Sequence, residues 1–143
     1  MQRWRIVNAG AARVYRLAIP GQKFIQVGSD GGLFEHPSEV KELLLANSER
    51  AELIVRGTGA PGSAAVLQTL PYDRYMPQTR PRDWNHPRNL LSLQYSDEPP
   101  TPSARLPRTL RAIPILDTTK VSVRRVLVLS QGMINSRVMD MNR

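Results

Sequence analysis

Short stretches in which apolar and polar residues alternate recur along the whole chain. In the first stretch Trp4 and Ile6 fall on one face, while Arg3 and Arg5 fall on the other. A period of two is the spacing of side chains that share one face of a β-strand. The pattern predicts an all-β protein in which these residues are mostly buried: Trp4, Ile6, Tyr15, Leu17, Ile25, Val27, Leu53, Val55, Leu67, Leu91 and Leu93.

Turn-forming residues separate the predicted strands. Pro20-Gly21 ends one strand, and Asp30-Gly31-Gly32 suits a tight reversal because glycine tolerates positive φ. The glycine-rich run 57–62 predicts a hairpin with a longer loop between the strands on either side. Many short strands with turns about every 8–12 residues favour a Greek-key antiparallel β-sandwich over about residues 3–96.

Three segments depart from simple alternation. Residues 37–45 have some features of a short helix, but extended structure with a short turn is favoured. Residues 71–89 hold Tyr72, Tyr75 and Trp84 among four prolines, which predicts a long loop. Residues 99–107 hold four prolines and predict a stiff linker.

The stretch Val121–Leu129 is apolar on both faces and predicts strands that need cover on both sides. Residues 108–143 are therefore not expected to form a closed domain. We expect the stretch to lie against the first domain, to pair with another chain, or to stay mobile.

The formal net charge of +8 raises the possibility of nucleic-acid binding. Residues 1–72 carry eight basic and six acidic residues, whereas residues 73–143 carry twelve and six. The basic residues are spread singly, with no run of five or six, which is typical of solvated strand faces and loops. A free-standing basic β module that binds nucleic acid stays open as the less favoured reading.

Few residues are available for chemistry. The chain has no cysteine, and His36 and His86 are its only histidines, 50 positions apart. A copper or zinc site needs several such ligands converging on one point, so no native metal site is expected. Neither a P-loop nor a nucleophile elbow is present. The sequence contains no apolar run of 18 residues, so no membrane span is expected. We therefore predict no catalytic, cofactor-binding or metal-binding residue in this chain.

Several motifs, in order, resemble those of bacterial laccase-like multicopper oxidases. Arg3–Ala9 is similar to the R-x-R-x-x-N-A strand that opens the second domain of that family, and Arg13–Ile19 to the strand that follows. Gln26–Leu33 matches its x-x-G-S-D-G-G-L turn, and Leu43–Val55 is similar to its L-x-x-G-E-R-A-(D/E)-L-x-V segment, with Ser48 in place of the glycine.

The resemblance continues towards the C-terminus. Leu70–Arg74 is similar to the segment before the family's long loop. Met133–Arg143 resembles the I-N-G-x-x-F-D-M-N-R strand near the start of the third domain, with Ser136 and Met139 in place of glycine and phenylalanine.

This resemblance implies a cupredoxin-like middle domain at residues 1–98, a Pro-rich linker at 99–113 and the opening strands of the next domain at 114–143, with the chain cut at both ends. In that family copper is bound in the first and third domains, and the middle domain holds them together. The resemblance therefore implies that copper lies in flanking domains, which are this chain's partners, in a periplasmic or secreted oxidase. The alternative is an exported copper-less scaffold or binding protein, and exposed strands leave a homo-oligomer possible.

Overall fold

The computed structural model describes residues 1–73, 85–99, 102, 104–130 and 132–138, and these residues are extended or irregular except for one 3-10 turn at Thr118–Lys120. The chain divides into two compact units, residues 1–113 and 114–143. The first unit contains eight strands among the residues described: β1 Gln2–Val7, β2 Tyr15–Ala18, β3 Phe24–Ser29, β4 Gly32–Val40, β5 Leu43–Leu45, β6 Arg50–Val55, β7 Ala64–Leu70 and β8 Arg88–Gln94.

One sheet of the first unit has the strand order β1-β6-β3-β4, and all its pairs are antiparallel. Trp4 in β1 lies opposite Leu53 in β6, so the apolar faces of the two strands are in register. The predicted reversal at Asp30 is confirmed, because Ser29 pairs with Gly32 across a two-residue turn and Gly32 has φ +93°. A β-bulge between Gln26 and Gly28 adjusts the pairing just before this turn.

The other sheet has the order β5-β2-β7-β8 and is also antiparallel. Residues 37–45 are extended as predicted, since β4 runs to Val40 and β5 begins at Leu43. The strand order mixes early and late strands in both sheets, and the predicted Greek-key antiparallel sandwich is confirmed.

The prediction of a hairpin around residues 57–62 is wrong. β6 lies between β1 and β3, so both of its edges are paired, and β7 instead joins the opposite sheet. The glycines of this crossover lie under the ring of Tyr95, and a Cβ at Gly57 would come within 3.2 Å of that ring. A Cβ at Gly59 would overlap the same ring outright. Glycine is therefore needed here for close packing rather than for a hairpin turn.

The main core lies between the two sheets and contains buried residues of both. Its largest members include Phe24 and Leu53, which are 1% and 0% exposed. Of the eleven residues predicted to be buried, six are buried: Leu17, Ile25, Val27, Leu53, Val55 and Leu67. Four more are half-buried and pack against the core: Trp4, Ile6, Tyr15 and Leu93.

Leu91 was predicted to be buried, and this prediction is wrong because its side chain is 49% exposed. The residue lies in β8, the outermost strand of its sheet, opposite the buried Leu67. Alternation places Leu91 on the same strand face as Leu93, but it does not supply a neighbour to cover it.

A second apolar cluster contains Ile25, Val27 and Ile54. These residues alternate along β3 and β6 with core residues such as Phe24 and Leu53, and they therefore lie on the outer face of that sheet. Leu33, Leu106 and Leu110 pack against the cluster. The outer face of this sheet is thus covered by residues that follow the eighth strand.

The second unit is built from very short strands. β9 Leu129–Ser130, β10 Met133–Ile134 and β11 Arg137–Val138 form a three-stranded antiparallel sheet. Of the strands predicted over 121–129, only Leu129 lies in a strand, namely β9, and the described residues 121–128 are irregular. Their apolar side chains are open to solvent, with Val126 82% exposed. Tyr75 and Trp84 of the predicted long loop, and Met139 in the final motif, lie outside the described residues.

Candidate functional site

The two histidines do not form a metal centre among the residues described. His36 lies in β4, and its Nδ1 is 3.0 Å from the backbone oxygen of Arg108. A carbonyl oxygen can only accept, so Nδ1 carries the proton in this hydrogen bond. His86 is exposed just before β8. Within the described parts of the chain, no group of three or more His, Cys, Asp or Glu side chains is placed to hold a metal ion.

An apolar groove of about 600 Å³ opens at one edge of the sandwich. Trp4 and Ile6 of β1, Tyr15 of β2, and Leu90 and Leu91 of β8 contribute to its lining. β1 and β8 are each the outermost strand of their sheet, and the lining also includes Leu45 of β5 and Leu67 of β7, so the groove extends from this edge across the second sheet. Sequence reasoning missed this groove, although two consecutive leucines in a half-buried strand are a signal that one of them must face outwards.

The hydrogen bonds of Asn8 hold the first strand to the rest of the unit. Its side chain is 3% exposed, and Nδ2 donates to the carbonyl oxygens of Arg13 at 2.7 Å and Leu45 at 3.0 Å. Its Oδ1 accepts from the backbone N–H of Gly10 at 2.9 Å. The bond to Leu45 is buried and the other two are partly buried, so the bonds satisfy polar groups that are shielded from water. The side chain of Asn8 therefore links the end of β1 to the segment before β2 and to β5, next to the groove.

A backbone hydrogen bond also links Asn8 to the turn before β6. The backbone N–H of Ser48 donates to the Asn8 carbonyl at 2.9 Å, and Ser48 has φ +66°. A positive φ is strained for any residue with a Cβ and is the usual reason for glycine at such a position. The structure thus explains why the family motif has glycine at this position, and it indicates that serine is accommodated here at a cost in backbone strain.

Charged residues of the first unit pair across strands. Glu52 in β6 bonds to Arg3 and lies 3.6 Å from Arg5, both in β1. Arg50 donates to Asp30 at the β3–β4 turn through both its backbone N–H, at 3.1 Å, and its guanidinium. Such exposed pairs contribute little to stability. They show that cationic side chains on these strands are engaged within the chain.

The pKa values of two exposed carboxyl groups, those of Glu39 and Asp117, are lowered. Lys23 Nζ donates to Glu39 at 2.9 Å, and this hydrogen bond, reinforced by the charge of the ammonium, lowers the pKa of Glu39 below its ordinary value. In the second unit, hydrogen bonds from the hydroxyl and then the backbone N–H of Thr119 lower the pKa of Asp117. Neither carboxylate is buried, and a shift of this kind in an exposed ion pair or a local turn does not indicate a catalytic acid.

No helix in the described residues is long and apolar enough to cross a membrane.

The strand order and the closed core define a cupredoxin-like sandwich domain. No protein-family model matches the chain. The chain is 38% identical over 66 residues to a laccase of Bacillus subtilis, a match that covers 46% of this chain and 13% of the laccase. The solved structure of a multicopper oxidase from Campylobacter jejuni, a metallo-oxidase, matches with 32% identity and a TM-score of 0.65, over 78% of this chain and 22% of that one.

A different kind of relative also matches. The cell division protein FtsP of Xenorhabdus nematophila is 43% identical over 54 residues, which cover 37% of this chain and 11% of that protein. The chain therefore spans less than a quarter of each of these three relatives. In sequence and in fold it resembles a part of the laccase-like bacterial multicopper oxidases, and the resemblance carried by the sequence motifs is confirmed.

Proposed function

We propose that this chain is a copper-free structural domain of a multicopper oxidase and that it holds the flanking cupredoxin domains together. The observation that carries the proposal is the apolar groove at the open edge of the sandwich, with Leu90 and Leu91 44% and 49% exposed beside it. Contiguous exposed apolar surface marks an interface with another domain or protein. The occupant that fits this groove is another β domain, which can cover the leucines and pair with the free edges of β1 and β8.

In the intact oxidase, the flanking domains would bind the copper ions that couple substrate oxidation to dioxygen reduction. The residues of this chain would contribute rigidity and surface rather than ligands. His36 is already engaged with a backbone carbonyl, the carboxylates of Glu52 and Glu39 pair with arginine and lysine, and that of Asp117 accepts hydrogen bonds in a local turn. The oxidase that contains this domain would be periplasmic or secreted, and cell fractionation would test that placement.

Two leucines on opposite edges of one sheet provide a matched test. Leu91 in β8 borders the groove, while Leu44 in β5 is 47% exposed and does not line it. Within the longer protein, Leu91→Asp should lower oxidase activity and loosen the domain contacts, whereas Leu44→Asp should leave both near wild type. In the isolated chain both variants should shift the free energy of unfolding by less than about 0.5 kcal/mol. Equal activity of the two variants in the longer protein would contradict the proposal.

A copper-less scaffold or binding protein with the same fold is the second candidate, and the similarity to the cell division protein FtsP favours it. The groove would then bind a partner protein, with no role in electron transfer. The coding sequence around this chain distinguishes the two candidates. Histidine clusters with a His-Cys-His segment downstream, and copper retained by the purified protein, would support the oxidase. Their absence from the full-length protein would support the scaffold.

A further inference from the structure

We infer that residues 104–113, here called the strap, form a latched cover over the outer face of the first sheet, and that His36 is the residue that positions it. This inference does not depend on the proposed function. The strap lies beyond β8 and belongs to the first unit. When it lifts, the cluster of Ile25, Val27 and Ile54 is exposed.

Apolar packing supplies the first part of the argument. Ile25 and Val27 are 8% and 3% exposed although they lie on the face opposite the main core. Leu106 and Leu110 of the strap and Leu33 of β4 are the partly buried residues that pack on the cluster. Without the strap, the apolar cluster on this face would be exposed to water, and such exposure is unfavourable.

Two hydrogen bonds fasten the strap to the edge strand β4. The backbone N–H of Leu110 donates to the carbonyl of Glu35 at 2.8 Å, and Nδ1 of His36 donates to the carbonyl of Arg108 at 3.0 Å. The two bonds come from adjacent residues of β4 and are made two residues apart on the strap. His36 therefore sets the register of the strap, while Leu110 supplies both a backbone bond and a side chain in the cluster.

The strap is held much less firmly than the strands beneath it. β3 is paired with both β4 and β6 on either side of its bulge, whereas the strap, among the described residues, is held by two hydrogen bonds and two half-buried leucines. Segments with few buried contacts open at a lower free energy than the global unfolding transition. The strap should therefore open locally while both sheets remain folded.

Hydrogen exchange of the Leu110 amide in the full chain tests the latch. The amide should be protected in the wild type, and His36→Ala should raise its exchange rate about fivefold, the effect of losing one ordinary hydrogen bond. His36→Asn should restore protection, because its Nδ2 can donate from the position that Nδ1 occupies. His86→Ala is the matched control and should leave the rate unchanged.

The sheet beneath the strap provides the second readout. In the double variant Leu106→Ser, Leu110→Ser, the strap should lose protection and an apolar dye should bind, while the amide of Ile25, which pairs with both neighbouring strands, stays protected. An unprotected Leu110 amide in the wild type would overturn the inference, as would an unchanged rate in His36→Ala. Loss of protection throughout β3 in His36→Ala would also overturn it, because His36 would then support the whole sheet rather than the strap.

Discussion

Leu53 and Val55 in β6 are 0% and 6% exposed, whereas Val126 and Val128 in the second unit are 82% and 61% exposed. Both stretches are β-branched and aliphatic, and both have the composition that strands prefer. β6 has a paired strand on each side and the opposite sheet above it, while residues 121–128 have no strand partner among the described residues. Burial in this molecule is therefore determined by the available partners rather than by the strand-forming character of the segment.

The two stretches should differ most in how much the truncation of one side chain lowers the free energy of unfolding. Leu53→Ala removes a fully buried side chain between the sheets, and we expect it to lower the free energy of unfolding by about 2–5 kcal/mol. Val126→Ala, as the counterpart in the second unit, should change it by less than about 0.5 kcal/mol in the chain alone. Urea unfolding followed by circular dichroism measures both values. Similar losses in the two variants would mean that residues 121–128 are buried after all.

The next largest effect is expected at Asn8. Asn8→Ala leaves the carbonyls of Arg13 and Leu45 without their side-chain donor in a buried place, and we expect a loss of about 1–3 kcal/mol. Asn89→Ala is the control, because Asn89 accepts only an exposed bond from Gln68. Its expected effect is below about 0.5 kcal/mol. An Asn8→Ala chain as stable as the Asn89→Ala chain would show that the side-chain hydrogen bonds of Asn8 do not stabilise the fold.

Two serines with positive φ sharpen the comparison between the units. Ser48 has φ +66° in the first unit and Ser136 has φ +63° in the second, and glycine stands at both positions in the family motifs. Ser48→Gly should raise the free energy of unfolding by roughly 0.5–1 kcal/mol, because glycine adopts this conformation without strain. Ser136→Gly should leave the first unit unchanged in the same denaturation experiment. A destabilised Ser48→Gly chain would mean that the serine hydroxyl matters more than the backbone strain.

The smallest effect concerns pH. The Lys23–Glu39 bond joins residues far apart in sequence and lowers the pKa of Glu39 from its ordinary 4.5 in the folded chain. Its contribution is therefore fully present above pH 4.5 and is lost as the pH falls through the lower folded pKa. The melting temperature of Lys23→Met should lie slightly below that of wild type at pH 6, and the gap should close in acid. A gap that widened in acid would contradict this assignment.

The alternation of side chains was enough to predict the sandwich and six of its buried residues, but it missed Phe24 and Ile19, which are among the most deeply buried. It failed at Leu91 because β8 is an edge strand with no neighbour on one side. It failed at residues 57–62 because β6 pairs with β1 and β3, which are distant in the sequence, rather than with the strand that follows it. The motif containing Asn8 was visible, but its hydrogen bonds depend on Arg13 and Leu45 reaching the same place in the fold. The groove and the strap depend in the same way on contacts between segments far apart in the sequence.

Residues 121–128 of the second unit have no strand partner among the described residues, whereas the first unit pairs and covers its own strands. Amide hydrogen exchange on the isolated, monomeric chain tests this most directly. We expect strong protection at residues 51–55 and little at residues 121–128 in the isolated chain, and we expect residues 121–128 to gain protection only when the flanking domains proposed above are present. Equal protection of the two stretches in the isolated monomer would contradict this expectation.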